Sequence, residues 1–386
     1  MCFYLNSNAQ LWELQNSGTG QELLHTQFVN INTGFASGYN GTLLKTTNGG
    51  LNWNALTGGP TGFIKSLFFI DANTGWAAGG TTSNGQIFKT TNGGNSWVSQ
   101  VSGYSDYFDG LFFLNSNLGW TTTVINSEVN RTTNGGQTWI PLTSGEGGIS
   151  YSLIFIDANT GWWGRQGYIR KTTNGGLNWV NQHFEYGSYW HEVQFLNANT
   201  GWAVGESAPF AKILKTTNGG NNWTEQLNNV NGAVHSIQFL NANTGWAGGK
   251  LTDYYATLLM KTTDGGVTWV QNQNNQSLPW IWDIHFPSSD TGWAVGGAGT
   301  IYKTPNGSIG ITTISTKVPE GFSLSQNYPN PFNPKTLIRF SLPVAGMTSL
   351  KVYDILGREI AIIVNEQLKP GTYEVDFDGS RYSSGI

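Results

Sequence analysis

One short motif recurs seven times along this chain of 386 residues. Lys-Thr-Thr-Asn-Gly-Gly-x-x-Trp, or a close variant, occupies residues 45–53, 89–97, 131–139, 171–179, 215–223 and 261–269. A seventh copy begins at Lys303-Thr304-Pro305-Asn306-Gly307 and then loses its tryptophan. Successive copies start 40–46 residues apart. A near-constant period of this length restricts a chain to solenoids, propellers or related arrays.

The content of the unit selects among these. Asn-Gly is a strong short hairpin signal, because both central residues of such a turn take positive φ. Short strand-like runs flank it, such as Gln86-Ile87-Phe88 before the turn and Trp97-Val98-Ser99 after it. A second marker precedes each hairpin, a phenylalanine followed by Thr-Gly-Trp or a variant. The Phe series is Phe28, Phe69, Phe113, Phe155, Phe195, Phe239 and Phe286; the aromatic after Gly is Phe35, Trp76, Trp120, Trp162, Trp202, Trp246 and Trp293. Each unit reads as four short strands with no room for a helix, which is a propeller blade. The last repeat lacks its outer-strand tryptophan, while the chain opens with an orphan copy of that strand, Leu11-Trp12-Glu13-Leu14-Gln15. That strand is expected to complete the last blade and cover its open edge.

The expectation is therefore all-β: a seven-bladed β-propeller over 11–306, closed by the N-terminal strand. A Ser/Thr/Ile/Gly stretch at 307–317 reads as a linker. Residues 318–386 carry fewer aromatics, more proline and more charge, with alternating runs at Thr336-Leu337-Ile338-Arg339-Phe340 and Ser349-Leu350-Lys351-Val352-Tyr353. These suit a small Ig-like β-sandwich, truncated at its C-terminus. Residues 1–10 are too short for a complete secretory signal but end in small residues, so they read as the remnant of one or as a disordered tail.

Composition narrows the function. Charged residues are 11 % of the chain and net charge is −4, which argues against nucleic acid or an anionic membrane surface as partner. No apolar run approaches a transmembrane span. Cys2 is the single cysteine, so no internal disulfide can form. A monomer without a cofactor is expected.

Two resemblances rest on particular residues. Tyr328-Pro329-Asn330-Pro331-Phe332-Asn333-Pro334, then Val352-Tyr353-Asp354-Ile355-Leu356-Gly357-Arg358, then Leu368-x-Pro370-Gly371-Thr372-Tyr373, resemble the type A C-terminal sorting domain of the type IX secretion system of Bacteroidetes. The resemblance implies export, with release or attachment at the outer-membrane cell surface, and the secretion machinery as partner of residues 318–386. The repeats resemble the Asp-box (BNR) turn, with Asn in place of the usual Asp except at Asp264. Among Asp-box proteins, the Phe…Asn-Thr-Gly-Trp…Lys-Thr-Thr-Asn-Gly-Gly pattern most resembles photosystem II stability/assembly factor-like propellers. One fold hosts many functions, so this bears on architecture more than activity.

Thirteen of the 17 tryptophans occupy repeat positions and read as scaffold. In an up-and-down blade the repetitive turns share one face, leaving the second-to-third and blade-to-blade loops on the other. Variable loops on a rigid frame are where binding concentrates. Trp190, Trp280, Trp282, Tyr104, Tyr107, Tyr254 and Tyr255 fall in such loops, with Arg165 nearby, and their rings suit a sugar or a protein partner. Counting back three from each repeat Phe gives His25, Ser66, Gly110, Ser152, Glu192, Ser236 and Asp283, a predicted polar ring at the channel mouth. His191 and His235 lie beside it. No metal-ligand spacing is present, so no metal is expected. A sialidase-like arginine cluster is missing, since the propeller holds only Arg131, Arg165 and Arg170. The reading is an exported, non-catalytic propeller that binds a polysaccharide or protein. The alternative is a glycoside hydrolase using a carboxylate pair drawn from Asp109, Glu192, Glu206 and Asp283.

Overall fold

The computed structural model describes residues 12–142, 147–227, 229–252, 256–271, 279–288, 291–304, 312–332, 335–354 and 357–378. Among these there is no α-helix, only strands and two 3-10 turns, Tyr39–Gly41 and Gly297–Gly299. Chain contacts divide the molecule into two compact units, Glu13–Lys303 and a second built mainly from residues after 303.

Glu13–Lys303 contains five four-stranded antiparallel sheets and one six-stranded sheet. The larger one arises because the strand Val180–Phe195 serves two neighbours. Its first part pairs with Gly161–Thr172 and its second with Gly201–Ser207. Seven innermost strands, Leu23–Phe28, Phe63–Phe69, Phe108–Phe113, Ser150–Phe155, the end of Val180–Phe195, Gly232–Phe239 and Ile281–His285, each touch the next, and the last returns to the first. Glu13–Gln15 closes the final sheet. It pairs Glu13 with Lys303, Leu14 with Tyr302 and Gln15 with Ile301. The surplus strand at the start of the repeats thus fills the gap at their end.

The repeated residues are what bind one sheet to the next. Each repeat Phe stacks on the aromatic of the preceding repeat, with centroids 3.5–4.1 Å apart, from Phe69 on Phe35 round to Phe28 on Trp293; Phe195 and Trp162 do so within the six-stranded sheet. Stacked pairs contribute about 0.5–1.5 kcal/mol beyond the area they bury. The glycine before that aromatic is needed because a Cβ at Gly75 would sit 2.4 Å from the Phe69 ring of its own sheet. Lys89 Nζ and Trp76 Nε1 then both donate to the Gly135 carbonyl in the following sheet, at 3.1 and 3.0 Å.

The Thr-Asn-Gly-Gly loop departs from the expected two-residue hairpin. The left-handed residues are the two glycines, at φ 67° and 87° for Gly49 and Gly50, and the asparagine is not among them. Buried Thr46 is its hub. Thr46 Oγ1 donates to Asn48 Oδ1 at 3.0 Å and accepts the Gly50 N–H at 2.9 Å, while Asn48 Oδ1 accepts the Asn52 N–H. Asp264 takes the asparagine's place in its copy without changing the pattern. A true Asn-Gly turn occurs elsewhere, at Asn40-Gly41, where both residues have positive φ. The Gly49 N–H donates to Asn32 O at 2.8 Å, so the two repetitive turns of a sheet lie together, on one face as expected.

The second unit holds a four-stranded sheet, in the order Thr312–Ser315, Gly371–Asp378, Lys335–Leu342, Ser323–Leu324, and the pair Gly346–Tyr353 with Glu359–Leu368. Phe340, Leu342, Ile363, Val364, Tyr373, Val375 and Phe377 form its core. Thr312–Ser315, expected within a linker, is an edge strand here. Its pairing with Gly371–Asp378 was not visible as alternation in so short a polar run.

Candidate functional site at the channel mouth

The seven inner strands converge on one cavity of about 580 Å³, to which nearly every strand contributes the four residues before its repeat Phe. The cavity explains itself through an irregularity in the strands. Every inner strand slips register once at the same place, for example between Ile64 and Ser66, between Trp190 and Glu192, and between Ile281 and Asp283. A β-bulge puts two residues opposite one and re-aims the side chain. Consecutive residues, such as His191 and Glu192 or Trp282 and Asp283, therefore both line the cavity, where simple alternation would give only one.

Sequence counting found the second residue of each bulge. His25, Ser66, Gly110, Ser152, Glu192 and Asp283 do line the cavity. Several of these side chains are stitches between sheets. Asp283 Oδ2 accepts the Thr26 N–H at 2.8 Å, and Glu192 Oε2 accepts the Ile237 N–H at 2.7 Å. Ser152 Oγ accepts the Val193 N–H at 3.0 Å, and Ser236 Oγ donates to Asp283 Oδ1 at 2.7 Å. One layer deeper, Gln27, Gln194 and Gln238 each bond both backbone groups of the next sheet's Phe, at 2.6 and 3.0 Å. His285 holds the equivalent place and manages one bond, accepting the Phe28 N–H through Nδ1 at 3.2 Å.

That difference yields a prediction. Burial, aided by the charge of His25, holds His285 down to about 3, so it stays neutral in the fold. Between that value and the ordinary 6.5 the unfolded chain binds a proton that the folded one does not, and stability falls as pH drops through this window. His285→Gln should restore the two-bond stitch and raise stability by about 1 kcal/mol at pH 7. Its advantage should widen in chemical denaturation at pH 5.

Glu192 behaves in the opposite sense. Burial, and then the nearby Asp283 carboxylate, push it up to about 8. From its ordinary 4.5 to about 8 the folded state holds the extra proton, so this contribution declines as pH rises through the window. Glu192→Gln should match the parent near pH 5 and exceed it by about 1–3 kcal/mol at pH 9, measured by urea melts at both values.

The first residues of four adjacent bulges carry rings. Tyr151, His191, His235 and Trp282 make a continuous arc. Tyr151 meets His191 edge-on at 4.7 Å, His191 meets His235 at 5.0 Å, and His235 stacks on Trp282 at 4.2 Å. Buried His235 is kept neutral and donates Nδ1–H to Ile281 O at 2.7 Å. Across the cavity Lys65 lies 3.8 Å from Asp109. The Asp109 carboxyl, the more buried partner, is raised by desolvation, whereas Lys65 is raised by the Asp109 charge. His25 faces Asp283 and His191 faces Glu206, each at 3.8 Å. The His191 contact lowers Glu206, with Lys250 adding to it.

Other expected site residues lie elsewhere. Trp190 is fully buried in the core beside His183, because it precedes the bulge on the inward-packing side. Arg165 is also buried, over the Trp163 ring at 5.1 Å and donating to the Gly147 carbonyl. Trp280 is outside the cavity lining, and its Nε1–H donates to Glu22 Oε1 at 3.0 Å, an oxygen that also takes the Trp282 Nε1–H. The Tyr104 hydroxyl donates to Glu128 Oε2 at 2.5 Å, and burial, then this contact, raises it to about 12. Tyr107 packs edge-on near Phe63 at 5.9 Å. Tyr254 and Tyr255 lie outside the described residues. Leu24, Tyr151 and Lys250 line the cavity and were missed, the first two because nothing in the sequence marks a bulge. Among the described residues no three His, Cys, Asp or Glu side chains converge in a metal-holding arrangement.

Sheets closed in a ring around a polar, aromatic-sided cavity define a β-propeller. Residues 178–281 match the family model described as photosynthesis system II assembly factor YCF48, and residues 326–386 match that of the secretion system C-terminal sorting domain. The sorting domain marks the chain as secreted or attached at the cell surface. No curated protein matches the sequence. Among solved structures, YCF48 bound to D1 peptide is similar at 22 % identity and TM-score 0.63, covering 78 % of this chain and 96 % of that one. YCF48 from Cyanidioschyzon merolae is similar at 16 % identity and TM-score 0.60, covering 76 % and 98 %. The GH74 xyloglucanase from Xanthomonas campestris is similar at 12 % identity and TM-score 0.62, over 86 % of this chain and 60 % of that one. At these identities the likeness is one of fold. Among the described residues no helix is long and apolar enough to cross a membrane.

Proposed function

We propose that this chain is an exported, non-catalytic propeller of seven blades, the six-stranded sheet counting as two, which binds a polysaccharide or protein at its channel mouth. An Ig-like domain over 318–386 would engage the secretion machinery. The observation that carries the reading is the bulge repeated in all seven inner strands, which doubles the side chains facing the cavity. A cavity of about 580 Å³ lies within the range of ligand sites, roughly 300–1,000 Å³. Two further points support binding over turnover. Asp283 and Glu192 spend oxygens on backbone N–H groups of the next sheet, and both border the Ser236 hydroxyl. The assembly factor of the same fold is itself described as bound to a peptide.

The test is capture of ligands by the full chain, using immobilised polysaccharides and a secreted-protein fraction, compared with the His191→Ala variant. Binding that His191→Ala weakens supports the reading. Polysaccharide hydrolysis by the full chain, lost in Asp283→Asn, would replace it with the glycoside hydrolase.

A further inference from the structure

We propose that the channel mouth binds a short, uncharged stretch of glycan, seated between the Tyr151–His191–His235–Trp282 arc and the Lys65–Asp109 pair. This rests on the binding reading above and chooses between its two ligand classes.

Three features of the wall lead to it. The wall pairs its polar groups: Lys65 lies beside Asp109, the His25 imidazole beside Asp283 and the His191 imidazole beside Glu206, all at 3.8 Å, with Lys250 also in the lining near Glu206. A charged ligand opposite the arc would have to break the Lys65–Asp109 pair, at the cost of a half-buried charge left alone. A hydroxyl can join such a pair instead, accepting from the cation and donating to the carboxylate, because at 3.8 Å the partners are too far apart for a direct hydrogen bond. Sugars present neighbouring hydroxyls with that double capacity.

The second feature is the arc itself. Its rings come from four adjacent inner strands and brace one another, so they are rigid before any ligand arrives. Trp282 is fixed further by the bond from Nε1–H to Glu22. A preformed aromatic wall suits the C–H faces of pyranose rings and costs little ordering entropy on binding. The third is the cavity's size. At about 580 Å³, with Gln27, Gln194, Gln238 and His285 among its lining, it admits a short stretch of a chain rather than a folded partner.

Isothermal titration of the full chain with cellohexaose, xylohexaose, mannohexaose and hexagalacturonate tests the idea. At least one neutral hexaose is expected to bind. Trp282→Ala and Lys65→Met should each weaken it by about tenfold or more, and Tyr186→Ala, on an outlying residue 91 % exposed, should not. If Trp282→Ala melts abnormally, Lys65→Met and Asp109→Asn decide. Preference for hexagalacturonate, or neutral binding that ignores these substitutions, overturns the proposal. Absence of any sugar binding overturns it too. In that case capture of a secreted protein, weakened by His191→Ala, would leave the broader binding reading standing, and no capture at all would end both.

Discussion

Deleting Glu13–Gln15 is expected to lower the melting temperature of the repeat unit by about 10 °C and to make the protein associate at micromolar concentration. Those three residues pair with Ile301–Lys303, the outer strand otherwise left bare in the last sheet. Without them a ladder of unpaired N–H and C=O groups is exposed beside the seam that stacks Phe28 on Trp293 at 3.5 Å. Loss at this one seam should propagate, because each sheet is held mainly by its two neighbours. Scanning calorimetry and light scattering read both effects. A deletion variant that stays monomeric and melts within about 2 °C of the parent would show that closure contributes little.

Phe113→Ala should destabilise the unit by about 3–5 kcal/mol. The Phe113 ring is 2 % exposed, lies flat on Trp76 at 3.6 Å and meets Trp139 edge-on at 5.8 Å. Removing it leaves a cavity at a seam that cannot collapse, because Trp76 is also tied through Nε1 to Gly135 O. Phe184→Ala serves as the contrast. That ring is 57 % exposed, and its removal should change stability by less than about 0.5 kcal/mol. Urea denaturation followed by tryptophan fluorescence compares the two. Equal costs would contradict the seam as the source of stability.

Much of the fold was legible because the scaffold residues recur. A phenylalanine, a glycine-aromatic pair and a Thr-Asn-Gly-Gly loop in fixed order give the strands and turns of each sheet, and the orphan strand at Glu13–Gln15 gives the closure. The partners of those residues were not legible. Nothing in a single repeat says that Phe113 stacks on Trp76 of the sheet before, or that Lys89 reaches Gly135 of the sheet after. The loop was also misread locally. Asn-Gly looked like the turn, whereas the second glycine and the buried threonine decide its geometry.

The site divides in the same way. Counting back from Phe found His25, Glu192 and Asp283, because distance from a fixed landmark is a sequence property. Position in the variable loops put Trp190 and Arg165 among ligand-binding residues, and both are buried.

By itself the sequence determined the repeat, its strand content, the ends that meet and the address carried by residues 326–386. Those follow from local turn chemistry and from period, which act over a few residues. Only the tertiary structure decided which aromatic rings face the cavity and which carboxylates are spent on backbone. A register slip depends on the pairing strand, and a side chain's burial depends on a neighbour some 40 residues away, so neither is written in any one stretch of the chain.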